Sequence, residues 1–290
     1  MRRVFLAATA VVAFACAPKS PPSTTPTPVN PPPGPPAAPP PPAQTQSLRL
    51  GPSALRYAMH QSIHIDQEFQ GMRQPLDFGL RAVFAVTITG PADTSGYPTT
   101  ITIDSIVPDS GTTVPMGINL GAARGLSFAG RLSPSGEFRN QVPSDSMAAL
   151  SLAPLVGSFR NFFPRLPATG LTLGATWTDT STMNDRAAGN VTVTNINHSH
   201  AAAWEDHNGT RSVRVEVSST FTIKGGGEQA GQPFEVAGNG VRNGVDYIAA
   251  DGRFLGGESH DSTSMTITLP VQAMTIPRTQ VSKTTVQVLP

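Results

Sequence analysis

The chain has 290 residues and a single cysteine, Cys16, so no internal disulfide can form and the fold must hold by packing alone. Lysine is nearly missing as well: Lys19, Lys224 and Lys283 stand against 17 arginines, a bias of genomic composition that carries no functional message. Charge of either sign is sparse. The formal net charge of +1 becomes −1, 18 basic residues against 19 acidic, once Arg2 and Arg3 leave with a cleaved leader. That balance argues against nucleic acid, which attracts strongly basic faces. No apolar run is long enough to cross a bilayer, which takes about 20 residues.

The apolar run that does exist, Val4 to Phe14, follows Arg2-Arg3 and ends in Ala13-Phe14-Ala15 before Cys16. This is the layout of a bacterial export signal over residues 1–15. It is similar to the lipobox of bacterial lipoproteins, in which small residues precede the cysteine that is acylated and becomes residue one. Ala13 and Phe14 depart from the usual occupants, so an ordinary secreted protein with a free Cys16 thiol is the alternative. If Cys16 is acylated, with palmitate or similar chains, burial at about 0.8 kcal/mol per methylene holds the protein on a membrane.

Residues 16–45 hold the lipid-acceptor cysteine and a tract of Pro, Ala, Ser and Thr that includes Pro31-Pro32-Pro33 and Pro39 to Pro42. Proline favours polyproline II, so about 25 residues at about 3.1 Å each extend up to about 80 Å as a stiff tether. A ligand for SH3 or WW domains is the rival reading, but those domains work in the cytosol and this chain is read as exported.

Residues 46–290 read as one β-rich domain, with no break in composition to divide them. Leu55, Tyr57, Met59, Ile63, Ile65 and Phe69 keep one parity, with Arg56, His60, Ser62, His64 and Asp66 on the other, the period of strands with one buried face. Leu76 to Ile88 repeats the pattern, and Ile101, Ile103 and Val107 are expected on one side. Further runs lie at 191–196, 213–223, 234–245, 265–269 and 281–289. Asn208-Gly209, Ser133-Pro134-Ser135-Gly136 and Ala250-Asp251-Gly252 read as turns. Gly225-Gly226-Gly227 lacks P-loop partners and reads as a hairpin tip. One stretch changes period: Met147, Leu150, Leu155, Phe159, Phe162 and Phe163 recur at three and four within Ser144–Phe163. This predicts a helix capped by Ser144, kinked or restarted at Pro154, ended by Pro164 and Pro167, and laid on the sheet's concave face.

The fold class is therefore mainly β: a large curved antiparallel sheet, or half-barrel, around one or two inserted helices. That layout behind a lipoprotein signal resembles the half-barrel architecture of periplasmic lipoprotein carriers and mycobacterial lipid-binding lipoproteins. It is closer still to uncharacterised bacterial lipoproteins with a glycine hairpin like Leu132–Gly136, a helix, and blocks like Phe163–Pro167 and Gly170–Trp177. The resemblance spans about Leu55 to Leu289. It implies that the hollow between sheet and helices holds an acyl chain or other apolar ligand, with Leu155, Phe159, Phe162, Phe163 and Trp177 as lining candidates. Plain core packing is the competing reading for each of them. By the same resemblance, the absence of an acidic residue after Cys16 points to the outer membrane, facing the periplasm.

Chemistry is harder to find. His198 and His200 share one side of a strand near Glu205, Asp206 and His207, which are expected in the turn before Asn208. Zinc needs three or four ligands converging at about 2 Å, which this spacing does not enforce, and His60 and His64 are no better placed. No G-x-S-x-G elbow exists, and Glu258–Ser262 reads as a polar strand end instead of a Ser-His-Asp constellation. The sequons at Asn190, Asn197 and Asn208 arise by chance in a Thr-rich bacterial chain. No cofactor, metal or catalytic residue is expected, and the chain is read as not an enzyme. The partners expected are a membrane, through the acyl chains, and a lipid or other apolar molecule. The alternative is a structural lipoprotein with a solid core that meets another envelope component through its surface.

Overall fold

The computed structural model describes residues 47–112, 120–152, 159, 161–185, 190–229 and 231–290. Cys16, Leu155, Pro154 and the proline-rich tether lie outside the described residues.

Alternation of apolar and polar side chains builds the sheet. Strand β1 (Ser53–Phe69) pairs with β2 (Met72–Ile88) over its whole length, through a turn at Gln70-Gly71 whose φ values are 53° and 76°. Both residues are left-handed, as a two-residue hairpin of this hand requires. The chain continues through β3 (Tyr97–Pro108), β4 (Ser127–Leu132), β5 (Phe138–Pro143), α1 (Ser146–Ser151), β6 (Thr176–Asp185), β7 (Val191–His207), β8 (Thr210–Gln229), β9 (Gln232–Ala249), β10 (Phe254–Leu269) and β11 (Met274–Val288). The eleven strands form one open antiparallel sheet in the order β5-β4-β3-β2-β1-β11-β10-β9-β8-β7-β6. Two meanders, each of neighbours in sequence, meet where β1 pairs with β11.

One face of the sheet is inner. Tyr57, Met59, Leu80, Phe84, Ile101, Ile103, Val213, Val215 and Ile248 are buried there, while the opposite parity ranges from half-buried, as at Ala58, Val83 and Thr102, to exposed, as at Arg56, His60 and Arg81. Burying a side chain of this size stabilises by about 1.5–3 kcal/mol. At one end of the sheet Tyr57, Phe84, Phe128, Phe138, Phe159, Phe162, Phe163 and Phe254 form a continuous aromatic core. Phe162 is its centre, with edge-on centroid distances of 5.1 Å to Tyr57, 5.1 Å to Phe84 and 5.4 Å to Phe254.

Curvature has a visible cause in β9, whose inner face carries Gly238, Gly240 and Gly244. A Cβ at Gly240 would stand 2.2 Å from Cζ of Phe221 and 2.6 Å from the Ser262 carbonyl oxygen. Only a residue without a side chain lets the neighbouring strands close in on that face.

Several expectations are corrected. The helix over Ser144–Phe163 is described only as α1, six residues long, and its N-cap is Asp145, which accepts from the amides of Met147 and Ala148 at 2.9 and 3.0 Å. Ser144 instead accepts from the Ser127 amide through its hydroxyl. Met147 and Leu150 are 75% and 60% exposed, whereas Leu152 is buried, so the expected apolar stripe does not face the core as a unit. Val107 leaves the side of Ile101 and Ile103 because a bulge at Asp104 shifts the register. Ile106 turns inward in its place. Gly225–Gly227 lie within β8, paired with β9, and are no hairpin tip. Glu205–His207 end β7 instead of forming a turn, and Glu258–Ser262 lie within β10, away from its ends.

Candidate functional site

Beyond the aromatic core, the inner face continues along β6 to β11 and β1 toward the far hairpins. Three zones follow one another, because each cross-strand row presents its side chains to the same side.

The first row beyond the core is apolar except for Asp246, which stands among Ala201, Val215, Val286 and Met59. Burial pushes the Asp246 carboxyl up to about 6, an effect that Arg242 opposes. Two rows further lies a polar belt. Asn197 donates to Asp179 at 2.9 Å and accepts from the Ser219 hydroxyl at 2.6 Å, Ser282 donates to Asp261 at 3.0 Å, and Arg242 stands 3.6 Å from Asp261. Oδ1 of Asp179 is buried without a hydrogen-bond partner.

The third zone is a trough of half-buried apolar side chains, among them Ile65, Phe221, Ile223, Met265, Ile267 and Ile276. No described helix packs on it. These side chains are shielded by the curvature of their own sheet, while the opposite parity of the same strands is exposed.

The outer face holds a separate groove of about 900 Å³ across β6 to β10. His198, His200, Glu216, Asn243, Glu258 and His260 stand in it, with Thr176 and Thr178 at one side. His198 contacts the Thr178 hydroxyl at 3.0 Å, His200 stands 3.5 Å from Glu216, and Arg214 pairs with Glu216 at 2.5 Å. Glu205 lies 3.8 Å from Arg214, and the His207 ring stacks on Tyr247 at 3.7 Å, where burial lowers its pKa. The histidine and acidic side chains singled out in the sequence thus go to different partners. Among the described residues no three metal-ligating groups converge.

A smaller hollow of about 420 Å³ lies beside Asp109–Thr112, the segment that follows β3. There Asp109 accepts from His60 at 2.7 Å and pairs with Arg81 at 3.0 Å, which holds its carboxyl below the usual range.

The lining candidates separate. Phe159 and Phe163 are 2% and 3% exposed in the aromatic core: Phe159 packs on Phe84 and Phe128, and Phe162 joins Phe163 to Tyr57 and Phe254. Trp177 is half-buried on the inner face of β6, its indole donating to the Arg165 carbonyl at 3.0 Å, which ties the β6 start to the Phe163–Pro167 block. The space under the 144–163 segment is thus occupied by rings where the described residues reach it. The open inner surface lies elsewhere, along the far strands. One sequence signal could have found it: the alternation Met274, Ile276, Arg278, Gln280 extends the inward parity of the last strand beyond the run that begins at Val281.

No protein-family model matches this chain, and no curated protein does. Among solved structures, an outer membrane lipoprotein-sorting protein domain from Vibrio parahaemolyticus aligns over 80% of this chain and 83% of its own length, at 8% identity and a TM-score of 0.17. What this chain is similar to there is a neighbouring layout only, and at that score the likeness carries no conclusion about its task.

Proposed function

We propose that this protein is a non-enzymatic lipoprotein of the bacterial envelope, tethered to a membrane through acylated Cys16 and the proline-rich segment, whose inner trough takes up a lipid or other apolar molecule. The observation that carries this reading is the far inner face. Ile65, Phe221, Ile223, Met265, Ile267 and Ile276 present apolar surface on a curved sheet with no described helix on top. An apolar concavity next to a few fixed polar groups is the usual form of a small-molecule site. Leaving such surface in water forgoes about 25 cal/mol per Å², which a bound chain recovers. The outer membrane, facing the periplasm, is the location that fits the leader.

Native mass spectrometry after mild extraction tests the proposal. A lipid mass that co-purifies and is lost on delipidation is expected. Absence of any adduct, together with no binding of an apolar fluorescent probe, would remove it.

A second reading has its own support in the outer groove of about 900 Å³, whose mixed lining of charged, hydroxyl and apolar groups suits a protein or polymer of the envelope. Crosslinking in cells from a photoreactive residue at Asn243 distinguishes it. A single reproducible adduct favours surface docking, and its absence leaves the trough as the working part.

A further inference from the structure

Arg278 is out of keeping with its surroundings. It sits on the inner face of β11, opposite Met265 of β10 and Gln67 of β1, in the same cross-strand row as Ile223 and Gly238. Its Nη2 donates to Gln280 at 2.9 Å, its Nε is buried with no acceptor, and among the described residues no carboxylate lies within ion-pair distance. Neighbouring acids are already committed. Asp66 faces outward and pairs with Arg73 and His64, and Asp261 is held by Ser282 and Arg242.

A guanidinium with an unfilled donor in an apolar trough is costly unless an anion completes it. Burial accordingly draws the Arg278 pKa downward. Its planar fork suits the oxygens of a carboxylate or a phosphate. Ile65, Ile223, Met265 and Ile276 offer apolar contact beside it, and four residues of strand, about 13 Å, separate it from the polar belt at Ser282.

We propose that the trough selects an anionic amphiphile, whose carboxylate or phosphate pairs with Arg278 while its hydrocarbon chain lies on the apolar inner rows. The proposal rests on the trough reading above and adds the charge of the ligand to it.

Full-length protein carrying Cys16→Ser, prepared without detergent, is titrated with dodecyl phosphate, dodecanol and inorganic phosphate, with a neutral naphthylamine probe reporting displacement and calorimetry reporting phosphate binding. Dodecyl phosphate is expected to bind at least about tenfold more tightly than dodecanol. Arg278→Met, which fills the same volume, should abolish that preference while leaving dodecanol binding in place, and Arg278→Lys should keep part of it. Thermal melts confirm that each variant is folded. Equal affinity for the two C12 compounds in the parent, or a preference that survives Arg278→Met, overturns the anion site and leaves the trough standing. Inorganic phosphate binding as tightly as dodecyl phosphate also overturns it, since the site would then serve a free anion. If neither C12 compound displaces the probe, the trough reading itself fails.

Discussion

The hydroxyl of Tyr57 donates to the carbonyl of Phe254 at 2.7 Å, joining β1 to the first residue of β10 across 197 positions of chain. The phenol is buried, and that burial raises its pKa far above the usual value. Tyr57→Phe keeps the ring contacts and strands the carbonyl, so unfolding in urea should show a loss of about 1–2 kcal/mol. Tyr57→Ala should lose about 3–5 kcal/mol, because it also empties the space beside Phe84 and Phe162. Equal losses for the two variants would mean that the hydrogen bond, and not the ring, holds this end of the sheet.

Asp246 makes stability fall as pH rises. Its folded pKa of about 6 lies above the ordinary 3.8, so between those values the folded state holds a proton that the unfolded state has released. The domain is thus expected to be most stable near pH 4 with respect to this group, to weaken as pH climbs through 6, and to remain weakened at neutrality by about 2–3 kcal/mol. Asp246→Asn should remove that slope and raise the melting temperature at pH 7.5 more than at pH 4.5. A variant that melts lower than the parent at pH 7.5 would show that the charged carboxylate is well accommodated.

Gly240 has ordinary strand dihedrals, so any cost of substituting it is steric. Gly240→Ala drives a methyl toward the Phe221 ring and the Ser262 carbonyl, and a loss of about 1–3 kcal/mol is expected from chemical denaturation. Phe221→Leu in the same chain should recover the part due to the ring and leave the part due to the carbonyl. Full additivity of the two substitutions would argue that the ring is not the obstacle.

Replacing Cys16 by serine should move the protein from the membrane fraction to the soluble fraction of the envelope, because no acyl chain can then be attached. Continued sedimentation with membranes, or a mature N-terminus without acyl mass in the parent, would defeat the lipoprotein reading.

What the sequence made legible was the alternation. β1 and β2 have the parity that Leu55 to Ile88 display, and the Asn208-Gly209 hairpin has the left-handed pair, φ 52° and 76°, that its residues predict. Less legible were events that break local periodicity for a non-local reason. The bulge at Asp104 reverses Val107 although no glycine or proline stands at the bulge itself, Pro108 coming only after Val107. Gly225 lies in a strand, paired with Val236, and is glycine because Asn190 and Val191 pass too close for a side chain there, a fact absent from the residues around it. The aromatic residues after Leu155 suited a cavity wall as well as a core. Only their contacts with Tyr57, Phe84 and Phe254 separate the two readings, and those partners lie about a hundred positions away on either side.

The pairing of β1 with β11 sets the order in which the molecule can be assembled. Strands β1 to β5 can zip locally as soon as they emerge, and so can β6 to β10, since each joins neighbours in sequence. The seam between them needs Met274–Val288, which is made after every other strand of the sheet. Until it arrives, β1 and β10 are two raw edges carrying unpaired backbone groups, the state most open to capture by another chain. Docking of β11 is therefore the moment at which two half-sheets become one, and a chain stopped short of Met274 would leave both edges permanently unsealed.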